Sequence, residues 1–188
     1  MRVFIAVDID DQKIISHIVS IGREIKASGA HVKLVEPENI HITLKFLGEI
    51  QEKDLEIVNS IVSESVEGIK KFYINMVGVG AFPTPKNPRV IWVGVSEGAQ
   101  ELTNLAVKVS SQLERLGFRK ENRPFSPHVT ICRVKRYNPR LKELIKRYED
   151  QEFGKFLVKE VRVKQSKLTP VSYTHLRAHE TEADLVCR

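Results

Sequence analysis

A chain of 188 residues that is 41% hydrophobic and 29% charged has the composition of a folded globular protein, which excludes a disordered tail or a collagen-like repeat. Its formal charge of +6 and pI near 9.3 suit an anionic partner, and two cysteines, Cys132 and Cys187, are too few for a secreted disulfide scaffold. No apolar run approaches the ~18–20 residues that span a membrane, and the start MRVFIAVDIDD lacks the apolar segment and cleavage site of a signal peptide, so the cytoplasm is the expected compartment.

Residues 2–9, RVFIAVDI, alternate as a strand does. Next, Ile14, Ile18, Ile21 and Ile25 recur at three- and four-residue steps, predicting an amphipathic helix with an acidic start and Gly29 beyond its end. HVKLVE is a short strand broken by Pro37, and IHITLKFLG is another strand. Leu55, Val58, Ile61, Val62 and Val66 mark a second helix. KKFYINMVGVGAF and RVIWVGVSE read as strands joined by PTPKNP, an irregular loop by its three prolines. A third helix, AQELTNLAVKVSSQLERLG, stops at Gly117. FSPHVTICRVK is a strand, PRLKELIKRYED a short basic helix, and FLVKEVRVKQSKL one last strand.

With no regular βαβ alternation and no Gly-rich phosphate loop, the order predicts an α+β fold with antiparallel or mixed sheets flanked by helices. The element order also repeats faintly. It predicts one domain over residues 1–170, with two pseudo-symmetric lobes around a central cleft. From Val171 the segment VSYTHLRAHETEADLVCR loses the apolar period and closely resembles the conceptual translation of a sequencing adapter. Residues 171–188 are therefore expected to be a non-native tail lying off the core, and His175, His179 and Cys187 are set aside.

Two strands carry the same short pattern: His41-Ile42-Thr43-Leu44 and His128-Val129-Thr130-Ile131. Alternate residues of a strand share a face, so each histidine projects beside its threonine while apolar neighbours face the other way. A structural reading takes the rings as bonded core groups and the threonines as good strand formers. A zinc site wants three or four protein ligands, and neither motif brings a carboxylate or thiolate, so no metal is assigned. Acid–base chemistry at phosphorus accounts for all four residues. One imidazole takes a proton from the attacking oxygen, the other gives one to the leaving oxygen, and the hydroxyls donate to the non-bridging phosphate oxygens. That chemistry needs no cofactor.

The two motif strands, together with RVFIAVDI, RVIWVGV and the flanks HITLKFLGEI and FSPHVTICRVK, resemble the 2H phosphoesterase superfamily over roughly residues 1–170. The similarity is greatest to its RNA 2′,3′-cyclic phosphodiesterase branch, also called 2′–5′ RNA ligase. The resemblance implies hydrolysis of a 2′,3′-cyclic phosphate end to a 2′-phosphomonoester, with His41 as general acid, His128 as general base, and Thr43 and Thr130 holding the phosphate. It also implies a phosphate contact from Arg133. Strand parity puts 128 and 133 on opposite faces, so a bulge or strand end is needed to return Arg133 to the cleft. Lys45 shares the parity of His41 and by that count supplies local charge. Cys132 has the parity of His128 but no activating base, and is read as packing. Phe82, Phe125 and Trp92 are read as core, with nucleobase stacking as the alternative.

Between Arg133 and Arg147 seven Lys/Arg face one acid, Glu143, which points to a polyanion near the second motif. The expected partner is RNA with a 2′,3′-cyclic phosphate end, tRNA fragments being one candidate class. No membrane and no obligate protein partner are inferred. The competing readings are a phosphodiesterase for a small cyclic nucleotide or ADP-ribose cyclic phosphate, and a non-catalytic RNA-binding protein.

Overall fold

The computed structural model describes residues 1–166 and, beyond them, the backbone of two short strands, 173–176 and 186–187. In chain order the elements are β1 (Arg2–Asp8), α1 (Gln12–Ala27), β2 (His31–Leu34), β3 (His41–Glu49), α2 (Leu55–Val66), β4 (Phe72–Thr84), β5 (Asn87–Val95), α3 (Ala99–Arg115), β6 (His128–Arg136), α4 (Arg140–Arg147), β7 (Glu152–Val158), β8 (Glu160–Ser166), β9 (Tyr173–Leu176) and β10 (Val186–Cys187). The fold is α+β. The strand path runs β10-β8-β1-β3-β6-β5-β4-β7, with β2 on β6 and β9 on β8, and every pairing among the described residues is antiparallel except β10 with β8.

Each long helix forms where the apolar period requires it. On α1, Ile14, Ile18, Ile21 and Ile25 are buried, and the Asp11 side chain caps its start by accepting from the backbone N–H of Lys13 (2.9 Å) and Ile14 (3.0 Å). On α3, Leu102, Leu105, Ala106, Val109 and Leu113 form the buried stripe. The helices cross over between lobes. α1 follows β1 yet packs on β2, β6 and β7, whereas α3 follows β5 yet packs on α2 and β3. One apolar core therefore continues through both halves.

Two expectations from the sequence change here. FLVKEVRVKQSKL is not one strand. It is divided at Lys159 between β7, which pairs with β4, and β8, which pairs with β1. A single residue thus joins β7, at one end of the strand path, to β8, one strand in from the other end, so the sheet must curl until those two strands nearly meet. Lys159 is held at that crossing by Asp10, at 2.7 Å. PTPKNP is likewise no irregular loop: β4 runs to Thr84 and β5 starts at Asn87, with Pro83 opposite Pro88. Prolines that face each other at the end of a hairpin forgo N–H groups where the ladder is ending anyway.

Where the sequence suggested no element, the backbone of β9 pairs with β8 (Lys164 opposite His175) and β10 pairs with Glu160 and Val161. The rest of the expected tail, including His179, lies outside the described residues.

The lobes meet at one register position. Among the described residues β3 and β6 pair only at Ile42 opposite Val129, both fully buried. Beyond it β3 continues along β1, while the same edge of β6 takes β2 as its partner, from Leu34 opposite Cys132 to His31 opposite Arg136. The sheet splays open from that point, and the opening is the cleft.

Behind one wall of this cleft Trp92 lies flat across Gly80, its register partner: a Cβ on Gly80 would overlap the indole ring at Cη2. Gly80→Ala must push the ring aside, at a cost of roughly 1–3 kcal/mol for an overpacked site. Trp92 is the chain's single tryptophan. The expected result is a lower Tm together with a shifted emission maximum; a variant unchanged in both would rule out this packing.

Candidate active site

The cleft has a volume of about 360 Å³ and is lined by Phe4, Asn39, His41, Thr43, Phe46, Phe82, His128, Thr130 and Arg133, among others. Around the Ile42–Val129 pair the antiparallel order places His41 beside Thr130 and Thr43 beside His128. Each imidazole thus has the other motif's hydroxyl next to it. The rings occupy diagonal corners of a four-residue patch.

Each ring has the backbone two residues earlier beside it. His128 places Nδ1 2.7 Å from the Ser126 carbonyl, and a carbonyl only accepts, so Nδ1 carries the proton and Nε2 is left as the basic nitrogen. At His41 the corresponding neighbour is the Asn39 backbone, again two residues earlier, and it raises the ring's pKa. Aromatic rings fix the tilt: Phe4 stacks on His41 with centroids 5.0 Å apart, and Phe82 meets His128 edge-on at 5.1 Å.

Burial lowers the pKa of both rings. His41 falls to about 4, chiefly by desolvation and then by the Lys164 cation, with Asp8 opposing. His128 is lowered by desolvation, against which its Ser126 hydrogen bond works, and by the Arg133 charge. The cation behind His41 belongs to a buried network. Lys164, fully buried, donates to Asp8 at 2.5 Å, Arg162 donates to the other Asp8 oxygen at 2.9 Å, and Arg162 also pairs with Glu160. Asp8 is the register partner of His41 on β1.

The motif strands share an irregularity that decides which later residues reach the cleft. In β3, Ile5 pairs with Lys45 and Ala6 with Thr43, so Leu44 is an extra, bulged residue. In β6, Ile91 pairs with Cys132 and Trp92 with Thr130, so Ile131 is the extra one. Both bulges fall three residues after the histidine. Each reverses the parity of the residues C-terminal to it, so Arg133 returns to the cleft face beside His128 and Thr130.

The same bulge corrects the expectation for Lys45. Its side chain is 1% exposed and points away from the cleft, with Nζ donating to Ser110 Oγ (2.8 Å), to the Arg119 carbonyl (2.9 Å) and toward Glu114 (3.4 Å). Lys45 thus ties β3 to the far end of α3 and adds no charge at the histidines. Its counterpart Cys132 is buried too, its thiol pushed up to about 12.

Phe46, the counterpart of Arg133, is not singled out by the sequence pattern, yet it lines the cleft and is 60% exposed. A bulge assigned to both motifs would have placed it there. Phe4, Asp8 and Lys164 escape sequence reasoning as well. Nothing local in RVFIAVDI or RVKQS says that β1 and β8 underlie the first motif. Phe82 lines the cleft, while Trp92 and Phe125 pack behind it or against the core. Of the basic run, Arg133 alone lines the cleft, and Arg147 lies 3.8 Å from Glu24. Among the described residues no group of three or more His, Cys, Asp or Glu is placed to hold a metal ion, and no helix is long and apolar enough to cross a membrane.

A known family matches the chain twice over. The model of LigT-like phosphoesterases fits residues 7–92 and again 93–172. The chain belongs to the LigT-like (2H) phosphoesterase family. It is 44% identical over 182 residues to a protein of Archaeoglobus fulgidus named RNA 2′,3′-cyclic phosphodiesterase, covering 96% of this chain and all of that one. It is 39% identical to a protein of the same name from Methanothermobacter thermautotrophicus, over 90% of this chain and 92% of the relative. The fold is similar to the crystal structure of TT0787 of Thermus thermophilus (TM-score 0.80, 26% identity, covering 94% and 96% of the two chains). It is also similar to that of E. coli LigT complexed with 3′-AMP (TM-score 0.70, 23% identity, covering 94% and 95%). The tandem match divides the LigT-like chain between Trp92 and Val93, so each repeat contributes one His-x-Thr strand.

The ring environments are testable without turnover. In proton NMR of the protein in phosphate-free buffer, His41 should titrate near pH 4 and His128 below the usual 6.5, and inorganic phosphate should raise both. Lys164→Met removes the cation that lowers His41, so the His41 pKa should rise while that of His128 stays. Because this takes one buried cation from Asp8, stability should also fall, by on the order of 3 kcal/mol. A His41 ring that titrates at 6.5 in both proteins would contradict the assignment.

Proposed function

We propose that the chain hydrolyses RNA 2′,3′-cyclic phosphate ends to 2′-phosphomonoesters, with the two histidines as acid and base. The diagonal placement of His41 and His128 about the Ile42–Val129 pair carries this reading. In-line displacement at phosphorus needs a base on the incoming oxygen and an acid on the leaving oxygen at opposite sides, and diagonal corners supply those sides. The names of the relatives support the substrate class.

His128 Nε2 takes a proton from water, whose oxygen attacks phosphorus. The bond from phosphorus to the 3′ oxygen breaks, and His41 gives that oxygen its proton. The two protons balance, and a neutral His41 with a protonated His128 is left to be reset by exchange with solvent. Thr43 and Thr130 donate to the non-bridging oxygens, and Arg133 offsets their charge. Before substrate binds, both rings are neutral at pH 7, so the proton on His41 arrives with the substrate, whose negative charge raises the ring's pKa against the desolvation that lowers it. With an RNA 5′ hydroxyl in place of water, the same displacement breaks the bond to the 3′ oxygen and forms a 2′–5′ phosphodiester, a ligation in vitro; its reversal, with the 3′ hydroxyl attacking, exchanges the roles of the two histidines. The cytoplasm and tRNA fragments, as the place and source of such ends, belong to the same proposal.

His41→Ala and His128→Ala should each keep the fold and lower turnover by roughly 10²–10⁴, with the double variant losing less than the product. EDTA should change nothing. The profile of kcat/KM, which reports the free enzyme, should be a bell whose optimum lies on the acid side of 6.5, because both free-enzyme pKa values are lowered. The profile of kcat should lie at higher pH, because bound phosphate raises both. Product analysis of a 2′,3′-cyclic-ended oligonucleotide checks the outcome: a 3′-phosphate product, or full activity in either single variant, would refute the mechanism.

A further inference from the structure

A second hollow adjoins the cleft. It has a volume of about 490 Å³, lies between α1 and β2, and shares Val35 and Thr130 with the catalytic cleft. Val19, Val32, Leu34 and Val35 are half-buried apolar side chains on its walls, and Arg23, Lys26 and Lys33 stand exposed at its rim. Val19, Gly22, Arg23 and Lys26 follow at three- and four-residue spacing, so they form one stripe along α1. Glycine at position 22 keeps the helix close to the sheet: a Cβ there would already touch the bulged Ile131 at 3.4 Å and Leu34 at 3.5 Å. Lys33 is the register partner of Arg133. Glu36 is the one acid in the lining.

Resting on the hydrolase reading, we propose that this groove binds the nucleotide or two on the 5′ side of the cyclic phosphate, with bases on the apolar wall and backbone phosphates against Arg23, Lys26 and Lys33. The cyclic ester occupies both the 2′ and 3′ oxygens of the terminal ribose, so the rest of an RNA substrate leaves that sugar through its 5′ oxygen alone. A polymer needs one exit from the cleft. Two sides compete. On the β1 side the exposed cation Arg2 already faces Glu49, at 3.9 Å, and Glu49 also takes the amino terminus at 3.4 Å. On the α1 side Arg23, Lys26 and Lys33 make no ion pair among the described residues. Three such cations over an apolar wall complement a single strand's alternation of phosphate and base. From Val19 to Lys26 the stripe is roughly 10 Å long, the reach of about one or two nucleotides.

The test compares the wild type with the double variant Arg23→Gln/Lys26→Gln. The probes are a nucleoside 2′,3′-cyclic monophosphate and oligonucleotides of two, three and six residues ending in the same group. Binding of 3′-phosphate-ended oligonucleotides, followed by fluorescence anisotropy across a salt series, reads the groove without any turnover. In the wild type, affinity should rise with the second and third nucleotide and then level off. In the double variant it should fall on the order of tenfold for the trinucleotide, and its salt slope should flatten by about 1.4, two phosphates at about 0.7 each. Hydrolysis of the cyclic mononucleotide should keep its rate. As a rival path, Arg140→Gln/Lys142→Gln/Lys146→Gln on α4 should leave the trinucleotide unchanged. Equal oligonucleotide binding by wild type and double variant overturns the groove, and so does a loss confined to the α4 variant. If no cyclic end is cleaved by any protein, the hydrolase reading fails, and the anisotropy series still decides the groove.

Discussion

Ile42 and Val129 hold the one ladder position, among the described residues, at which the two motif strands touch, and both are sealed in the core on the face away from the cleft. A longer ladder would flatten the two halves into one sheet with no opening. No ladder at all would leave the histidines on independently moving lobes. One pairing fixes the distance between the motifs while β3 and β6 turn away to β1 and β2. The crossing at Lys159, which returns the chain from β7 to β8 near the other end of the strand path, and the exchange of α1 and α3 between lobes brace that hinge point from outside. Reacting groups must be held to fractions of an ångström for in-line chemistry, so the rigidity of this joint is a functional requirement as much as a folding one.

Much of this is legible in the sequence because two periodicities are hard to mistake. The three- and four-residue isoleucine steps of α1 yield a buried stripe where expected, and the alternation in HITL and HVTI places each histidine and threonine on one face. The failures come where a local rule is overridden by a non-local one. Counting in twos assigns Lys45 to the cleft, and a bulge at Leu44, visible only through the pairing with β1, breaks the count. The same device at Ile131 delivers Arg133. The division of the last strand at Lys159 cannot be read from an apolar run that is continuous on both sides. Nor does a chain of separate strands reveal that Lys164 and Asp8 meet beneath His41, since those residues are 156 apart.

Pseudo-symmetry sharpens the contrast between the lobes. Equivalent positions carry equivalent backbones: histidine, threonine, bulge, buried residue, then a residue turned back to the cleft. The side chains at the last position differ, Phe46 in one repeat and Arg133 in the other. One half of the cleft therefore offers an exposed ring and the other a guanidinium. A symmetric cleft would accept a phosphodiester in two orientations, with the histidines interchangeable. The difference between Phe46 and Arg133 breaks that degeneracy and gives acid and base distinct identities in the proposed reaction.

The charges behind the rings break it further. Arg133 acts on His128 from the solvent side, where bound phosphate can neutralise it, whereas Lys164 acts on His41 from a fully buried position beside Asp8, beyond reach of the substrate. A phosphate in the cleft thus offsets the cation that depresses His128 but leaves the one that depresses His41 in place. In the proposed reaction this relief of the Arg133 cation suits His128 to act as a base on water. His41, once protonated by the phosphate's field, still has the Lys164 cation behind it, which in that proposal favours release of its proton to the leaving oxygen. One cation at the mouth and the other in the wall give two chemically identical side chains different surroundings, and the proposed division into donor and acceptor rests on that difference.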